Sequence, residues 1–482
     1  MEENAVKYTY VVVGGGIAGV TCTEHLHILD PNADILLVTA TYLIKSVTNV
    51  LPLTKTLDSF DVEERLPDDL MNQCPNVTVV RDTVARLDAK NKKIITSSGK
   101  IFAYQKLCLC TGAKPDVIAE TNPHVLWIRD TESVCQFQAR IADAKRITII
   151  GNGGIATEMV YEITGVEILW VIRDKHMTAT FIDPGAAEFF RPELSKQKKI
   201  GVAPLKRRKY TVDKVKGKST VLGGALGPDW HENLELKGDN NHRVSLEVEV
   251  EVARILEPKD VKRMGKGITK LNNEEGEWPV YIELTNGKVY GSNFIVSATG
   301  VTPNTSNLLA GNNFAIASDG GLLVNDRLET TELDVYAAGD VCTPNWELSK
   351  HWFQMRLWTQ ARQMGSYAAK CMWASLSREE IYMDFCFELF CHATKFFGKK
   401  VILLGLFNGQ GLDGKYEVLL RYAEGFEYIK CVMVDGRMQG ALMIGETDLE
   451  ETFENLILNQ MDLSQFGEEL LNPDIDIEDY FD

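Results

Sequence analysis

Tyr10-Val11-Val12-Val13-Gly14-Gly15-Gly16-Ile17-Ala18-Gly19 is a β-branched run that leads straight into Gly14-x-Gly16-x-x-Gly19. A predicted helix follows in Val20-Thr21-Cys22-Thr23-Glu24-His25-Leu26. Each glycine has its own task in such a turn. Gly14 permits the tight exit from the strand. Gly16 lets a pyrophosphate approach the backbone, and Gly19 lets the helix pack closely on the sheet. Ile17 and Ala18 complete the turn, and the helix N-terminus offers free N–H groups to phosphate.

One such motif is weak support for a dinucleotide site, but this one recurs. Arg146-Ile147-Thr148-Ile149-Ile150 runs into Gly151-Asn152-Gly153-Gly154-Ile155-Ala156, a G-x-G-x-x-A variant. Two strand–turn–helix units of this kind predict an α/β chain with two Rossmann-like dinucleotide-binding domains.

A length of 482 residues suggests about three domains. The net charge of −17 argues against nucleic acid as the main ligand, so no direct DNA binding is expected. No apolar run is long enough for a transmembrane helix, and no membrane association is expected. The first strand starts so early that no signal or transit peptide is expected. The ten cysteines, at 22, 74, 108, 110, 135, 342, 371, 386, 391 and 431, form no C-x-x-C. They read as reduced thiols, with Cys108 and Cys110 as small buried hydrophobes on one strand. No metal site is predicted.

The first strand–helix–strand unit closes at Asp34-Ile35-Leu36-Leu37-Val38-Thr39. A ribose-binding acid normally ends this strand; here Thr39-Ala40 stands instead, so the ribose must be held another way or more weakly, and Thr39 is a candidate cofactor-binding residue. Residues 42–47 read as a polar loop leading to a helix. Further on, Lys106-Leu107-Cys108-Leu109-Cys110 ends in Thr111-Gly112-Ala113-Lys114-Pro115. A second version is Phe294-Ile295-Val296-Ser297-Ala298 ending in Thr299-Gly300-Val301-Thr302-Pro303-Asn304. Then Ala337-Ala338-Gly339-Asp340 puts a carboxylate at the C-terminal edge of a parallel sheet, where ligands bind.

This order of motifs resembles the pyridine nucleotide-disulfide oxidoreductases, two-dinucleotide-binding flavoproteins, over most of residues 10–365. The resemblance implies FAD at the first glycine motif (Gly14, Gly16, Ile17, Ala18, Gly19), with Thr39, Thr111, Gly112, Ala113, Gly339 and Asp340 also at the flavin nucleotide. It implies NADH or NADPH at the second (Gly151, Gly153, Gly154, Ile155), with Thr299 and Gly300 nearby. It further implies a helix over about residues 356–373 whose N-terminus, at Leu357 and Trp358, faces the flavin. Lys45 and Glu158 match the pair that the family places near flavin N5, the lysine stabilising charge during hydride transfer. Of Trp346, Trp352 and Trp358, Trp352 is the candidate to lie near the flavin ring. Nucleotide choice is decided after Glu167-Ile168-Leu169-Trp170-Val171-Ile172, where Arg173 would admit a 2′-phosphate and Asp174 would favour NADH; both coenzymes are plausible.

The chain departs from the disulfide-reductase pattern. It has no cysteine between Cys22 and Cys74, where the C-x4-C belongs, and no C-terminal His-x4-Glu. Electrons must then leave the flavin directly, as in the branch that resembles apoptosis-inducing factor and rubredoxin reductase. The expected activity is that of an FAD-dependent NAD(P)H oxidoreductase and not a true disulfide reductase. The rival reading is a redox-dependent binding or shielding module with little turnover. A disulfide reductase working through scattered cysteines such as Cys342 is a third. The resemblance is sharpest at residues 223–231, 355–365 and 444–455. There it implies a member that protects the tRNA-splicing ligase complex from oxidative inactivation in cytoplasm and nucleus.

The expected organisation is an FAD-binding domain in two parts (residues 1–120 and 292–382), an NAD(P)-binding domain (121–291) and a C-terminal α+β interface domain (383–482). A basic insertion covers 191–233, with Lys206-Arg207-Arg208-Lys209 as a solvated loop, a weak nuclear signal or a docking arm. In the C-terminal domain, residues 385–390, 400–406, 417–421 and 428–434 read as strands, with a hairpin turn at Asp435-Gly436. The acidic, apolar-alternating tail 474–482 reads as frayed or as a docking segment.

Overall fold

The computed structural model describes residues 5–128, 131–195, 236–238, 243–265, 267–271 and 277–472. The chain divides into two compact units. One holds residues 5–114 and 301–472, and the other holds the described residues between 115 and 300. Most of the basic insertion, including Lys206-Arg207-Arg208-Lys209, and the tail 474–482 lie outside the described residues.

The first unit is built on a seven-stranded sheet. Its parallel part runs Val77–Arg81, Ile35–Thr39, Val6–Val13, Ile101–Leu109, with Val335–Ala337 paired beside the last. The strands Lys93–Thr96 and Val84–Asp88 extend it antiparallel. All five residues of Ile35–Thr39 are buried, as expected of a parallel strand covered on both faces. The helices Ile17–Leu29 and Trp358–Ser377 pack together, and Gly365 makes their closest approach possible: a Cβ there would lie 2.3 Å from Ala18 O.

The second unit repeats the plan. Its parallel sheet runs Val125–Leu126, Phe294–Ser297, Arg146–Ile150, Glu167–Val171, Arg243–Glu247. In both units the strand entering the glycine turn lies between the strand that follows it and the strand that ends in Thr-Gly. An antiparallel sheet of Val252–Leu256, Val280–Leu284 and Val289–Ser292 belongs to the second unit.

The C-terminal part of the first unit is a five-stranded antiparallel sheet in the order Cys391–Phe396, Lys399–Gly405, Arg437–Ile444, Glu427–Val434, Glu417–Ala423. Phe453, Leu456 and Ile457 of the helix Glu450–Asn459 share its core with Ile402, Leu404, Ile429 and Met443. Asp435 and Gly436 both take positive φ and close the hairpin as the Asp-Gly pair predicts.

Two expectations fail. Residues 385–390 are not a strand: Phe385–Phe387 is a 3₁₀ turn capped by the Asp384 carboxylate, which accepts from Cys386 N. The apolar run is there to fill the core, and the strand begins at Cys391. Residues 42–47 do not lead to a helix. Ile44–Pro52 is a strand of a hairpin with Asp58–Arg65, with Ile44 and Ser46 turned inward. The helix expected over 356–373 is Trp358–Ser377.

Candidate cofactor sites

In the first unit the glycine turn is shaped by crowding on one side and space on the other. Gly14 has φ +125°, and a Cβ there would meet Cys110 O at 2.0 Å. Gly19 would meet Gly14 O at 1.9 Å, but nothing lies within 4 Å of a Cβ at Gly16. Gly16 is also the N-cap of Ile17–Leu29 without a side-chain cap, so the first helical N–H groups face that space. A pyrophosphate fits this arrangement, since the backbone is bare where the anion must approach.

Other candidates surround the same turn. Lys45 N donates to Gly15 O at 2.9 Å, which fixes the start of the hairpin strand beside the motif. Gly339 has φ +77° and lies against the Ala18 methyl, setting Asp340 in a short 3₁₀ turn. Burial raises the Asp340 carboxyl above its ordinary range, against the opposing pull of Arg356 and Lys45. Arg356 Nε donates to Asp340 O at 2.9 Å, and its guanidinium pairs with Asp319 at 2.8 Å. Sequence reasoning missed this arginine as a site residue; its only signal was the position just ahead of the helix. Thr111 Oγ1 donates to Asn304 O and Asn304 N to Gly112 O, so Thr111, Gly112 and Ala113 are knitted to the segment after residue 300.

Thr39 is buried under Gly15, and its hydroxyl is engaged with Thr41 at 3.0 Å; Thr41 is the exposed hydroxyl at this strand end. Arg81, on the neighbouring strand, lies 5.1 Å from the Tyr42 ring centroid and supplies a cation where an acid is customary. Leu357 caps Trp358–Ser377, and Gln360 clamps the approach by accepting from Met355 N and donating to Phe353 O. Trp358 packs 4.9 Å from the His392 ring, and Thr359 Oγ1 bonds His392 Nδ1 at 3.1 Å. Burial lowers the His392 pKa to about 3, so the ring is neutral. Trp352 is 3 % exposed, stacked on Trp346 and edge-on to Phe387. It is a core residue, and Trp358 takes the position at the helix start.

The second unit reproduces the same physics. Gly151 has φ +128° and would place a Cβ 1.9 Å from Ala298 O; Gly153 faces open space and is the uncapped N-cap of Gly154–Glu162. Ile155 lies on its first turn, and Ala156 is fully buried where the first motif has Gly19. Glu158 is buried on this helix. Arg173 is exposed beyond the second strand, and Thr299 and Gly300 are exposed at the end of Phe294–Ser297, Thr299 Oγ1 donating to Asp116 O. Lys45 belongs to the first unit and Glu158 to the second.

All ten cysteines are free thiols. Cys342, fully buried, donates to Ala337 O and Gly339 O, and burial pushes its thiol far up, which keeps it protonated. Cys108 and Cys110 lie with sulfurs 3.5 Å apart in the core, as small buried hydrophobes do.

The model of the family described as pyridine nucleotide-disulphide oxidoreductase matches residues 8–224 and 241–365. The chain belongs to that family. A human protein described as pyridine nucleotide-disulfide oxidoreductase domain-containing protein 1 is 54 % identical, the match covering 98 % of each chain. The mouse protein of that description is 53 % identical over the whole of both chains. An engineered water-forming NADPH oxidase bound to NADPH shares the fold, with 17 % identity and a TM-score of 0.66 over 98 % of this chain and 95 % of that one. As a pyridine nucleotide-disulphide oxidoreductase, the chain is an oxidoreductase that takes FAD and NAD(P)H, and both uncovered glycine turns fit a dinucleotide. Among the described residues no helix is long and apolar enough to cross a membrane.

Proposed function

We propose that the chain passes electrons from NAD(P)H through FAD directly to oxygen or another acceptor, without a cysteine relay. The observation that carries this is Lys45. It stands just past the first strand–helix–strand unit, where disulfide reductases of the family carry their cysteine pair, and its amide is tied to the glycine turn.

Bound FAD supplies the hydride acceptor and the onward electron donor. The chain's own residues hold and tune it. Gly14, Gly16, Gly19 and the start of Ile17–Leu29 receive the pyrophosphate; Thr39, Thr111, Gly112, Ala113, Gly339 and Asp340 border the rest of the nucleotide. Lys45 and Glu158 are the residues that the family resemblance assigns to the flavin N5 region, where the lysine's cation would stabilise developing negative charge when FAD is bound. Leu357 and Trp358 begin a twenty-residue helix whose positive dipole end favours an anionic reduced flavin. Gly151, Gly153, Gly154, Ile155, Arg173, Thr299 and Gly300 receive NAD(P)H.

A second reading is a module whose reduced form binds or shields a partner with little turnover. The missing relay favours it equally. The resemblance supports the tRNA-splicing ligase complex as that partner, in cytoplasm and nucleus. An anaerobic titration of purified protein with NADH and NADPH, followed by air, tests both readings. Bleaching of the flavin band and rapid reoxidation with hydrogen peroxide is the expected result. Slow reoxidation in air, with partner binding only in the reduced form, favours the module. Absence of bound flavin, or of bleaching, overturns both.

A further inference from the structure

The edge that should select between NADH and NADPH carries contradictory residues. Arg173 and Asp174 follow the second strand of the second unit, Glu167–Val171. In folds of this type an acid at this edge bonds the ribose 2′-hydroxyl, while an arginine accepts a 2′-phosphate. An acid free to face a 2′-phosphate would repel it.

The structure removes the contradiction through Asn152, the residue between the first two glycines of the motif. Asn152 is 8 % exposed. Its Nδ2 donates to Asp174 Oδ2 at 2.8 Å and to His176 O at 2.9 Å. Its Oδ1 accepts from Thr178 N at 2.5 Å. Both amide hydrogens are thus used, and the oxygen is held by a backbone donor, so the amide has one orientation. Reversing it would set an oxygen against the carboxylate and an NH₂ against Thr178 N–H. Asp174 is fixed from the backbone side as well, its carbonyl accepting from Glu249 N at 3.1 Å. Arg173, by contrast, is exposed.

We propose that Asn152 sets coenzyme choice by tethering the Asp174 carboxylate to the glycine turn, which leaves Arg173 to meet a 2′-phosphate. The site therefore tolerates the phosphate despite its acid. This rests on the second glycine turn being the NAD(P)H cradle. Asn152 is a positioning residue in this scheme: it acts on the nucleotide's ribose through Asp174.

The test is calorimetric binding of two fragments, adenosine 5′-phosphate and adenosine 2′,5′-bisphosphate, to the flavin-loaded full chain, with no turnover involved. Wild type binds the bisphosphate at least as tightly as the monophosphate. In Asn152→Ala the freed carboxylate lowers the bisphosphate-to-monophosphate affinity ratio about tenfold. In Asn152→Asp, which sets a like charge against Asp174, the ratio falls at least as far. The double variant Asn152→Ala/Asp174→Ala restores the wild-type ratio. If Asn152→Ala and Asn152→Asp weaken both fragments equally, Asn152 only holds the turn and the proposal is overturned. A wild type that prefers the monophosphate also overturns it. Failure of wild type to bind either fragment removes the cradle reading itself, a distinct outcome.

Discussion

At the scale of single residues, the site is decided by what burial does to charge and by where backbone is left bare. His392 shows the first. Its ring lies in the core against Trp358 and Thr359, and desolvation lowers its pKa from 6.5 to about 3. The folded state refuses a proton that the unfolded state takes, so the neutral ring's contribution is complete above about pH 6.5. It is lost as pH falls toward 3, at about 1.4 kcal/mol per pH unit. Between pH 7.5 and pH 5 the wild type should lose roughly 2 kcal/mol more stability than His392→Phe, measured by urea unfolding at each pH. Equal losses in the two proteins would show that His392 does not take up that proton. Other residues of the site were only partly legible in the sequence. Gly14, Gly16, Gly151 and Gly153 could be assigned because an L side chain is excluded by contact or by function, and spacing records that. Arg356 could not, because its value lies in reaching Asp340 and Asp319, neither of them near it in sequence. Thr39 occupied the expected strand end, yet only the fold reveals that its hydroxyl is turned under Gly15 while Thr41 faces out.

At the scale of elements, local sequence predicts what local forces decide. Both strand–turn–helix units were readable, since the strand run, the turn and the helix follow without a break. The hairpin Ile44–Pro52 with Asp58–Arg65 was not. Its loop is held by Glu454, a fully buried carboxylate on the helix Glu450–Asn459 that accepts from Thr54 Oγ1, Lys55 N and Thr56 N. No pattern in residues 42–65 announces a partner some 400 positions away. Gly365 shows the same dominance of tertiary contact over propensity. In an isolated helix, glycine to alanine is stabilising by about 1 kcal/mol. Here the new Cβ would lie 2.3 Å from Ala18 O, backbone that cannot swing aside. Gly365→Ala should therefore destabilise by about 1–3 kcal/mol and release flavin, because Ala18 sits in the pyrophosphate turn. Thermal melting and the flavin-to-protein absorbance ratio check this. A raised melting temperature would mean that the helices Ile17–Leu29 and Trp358–Ser377 separate freely, contrary to the packing described.

At the scale of the whole molecule, the decisive question is the route by which electrons leave. A relay needs a thiolate that can reach both flavin and acceptor. Thiols in this chain are placed against that role. Cys22, Cys74, Cys108, Cys110, Cys342, Cys371, Cys391 and Cys431 are buried, Cys386 is half-buried, and Cys135 is exposed. Where burial acts on them, as at Cys342, Cys391 and Cys431, it drives the thiol up and away from the thiolate. Native protein treated with a maleimide at neutral pH should accordingly label Cys135 first and Cys386 slowly, with the rest reacting only on unfolding. Peptide mass spectrometry over a time course reads this order. The labelled protein should keep both the rate at which NADH or NADPH bleaches its flavin and the rate of reoxidation in air. Loss of flavin reoxidation in step with modification of one cysteine would establish a relay and replace direct transfer as the route. Cys135→Ser, unlabelled, separates that outcome from steric interference: if the variant turns over normally but the labelled wild type does not, the maleimide blocks access and the thiol carries no electrons.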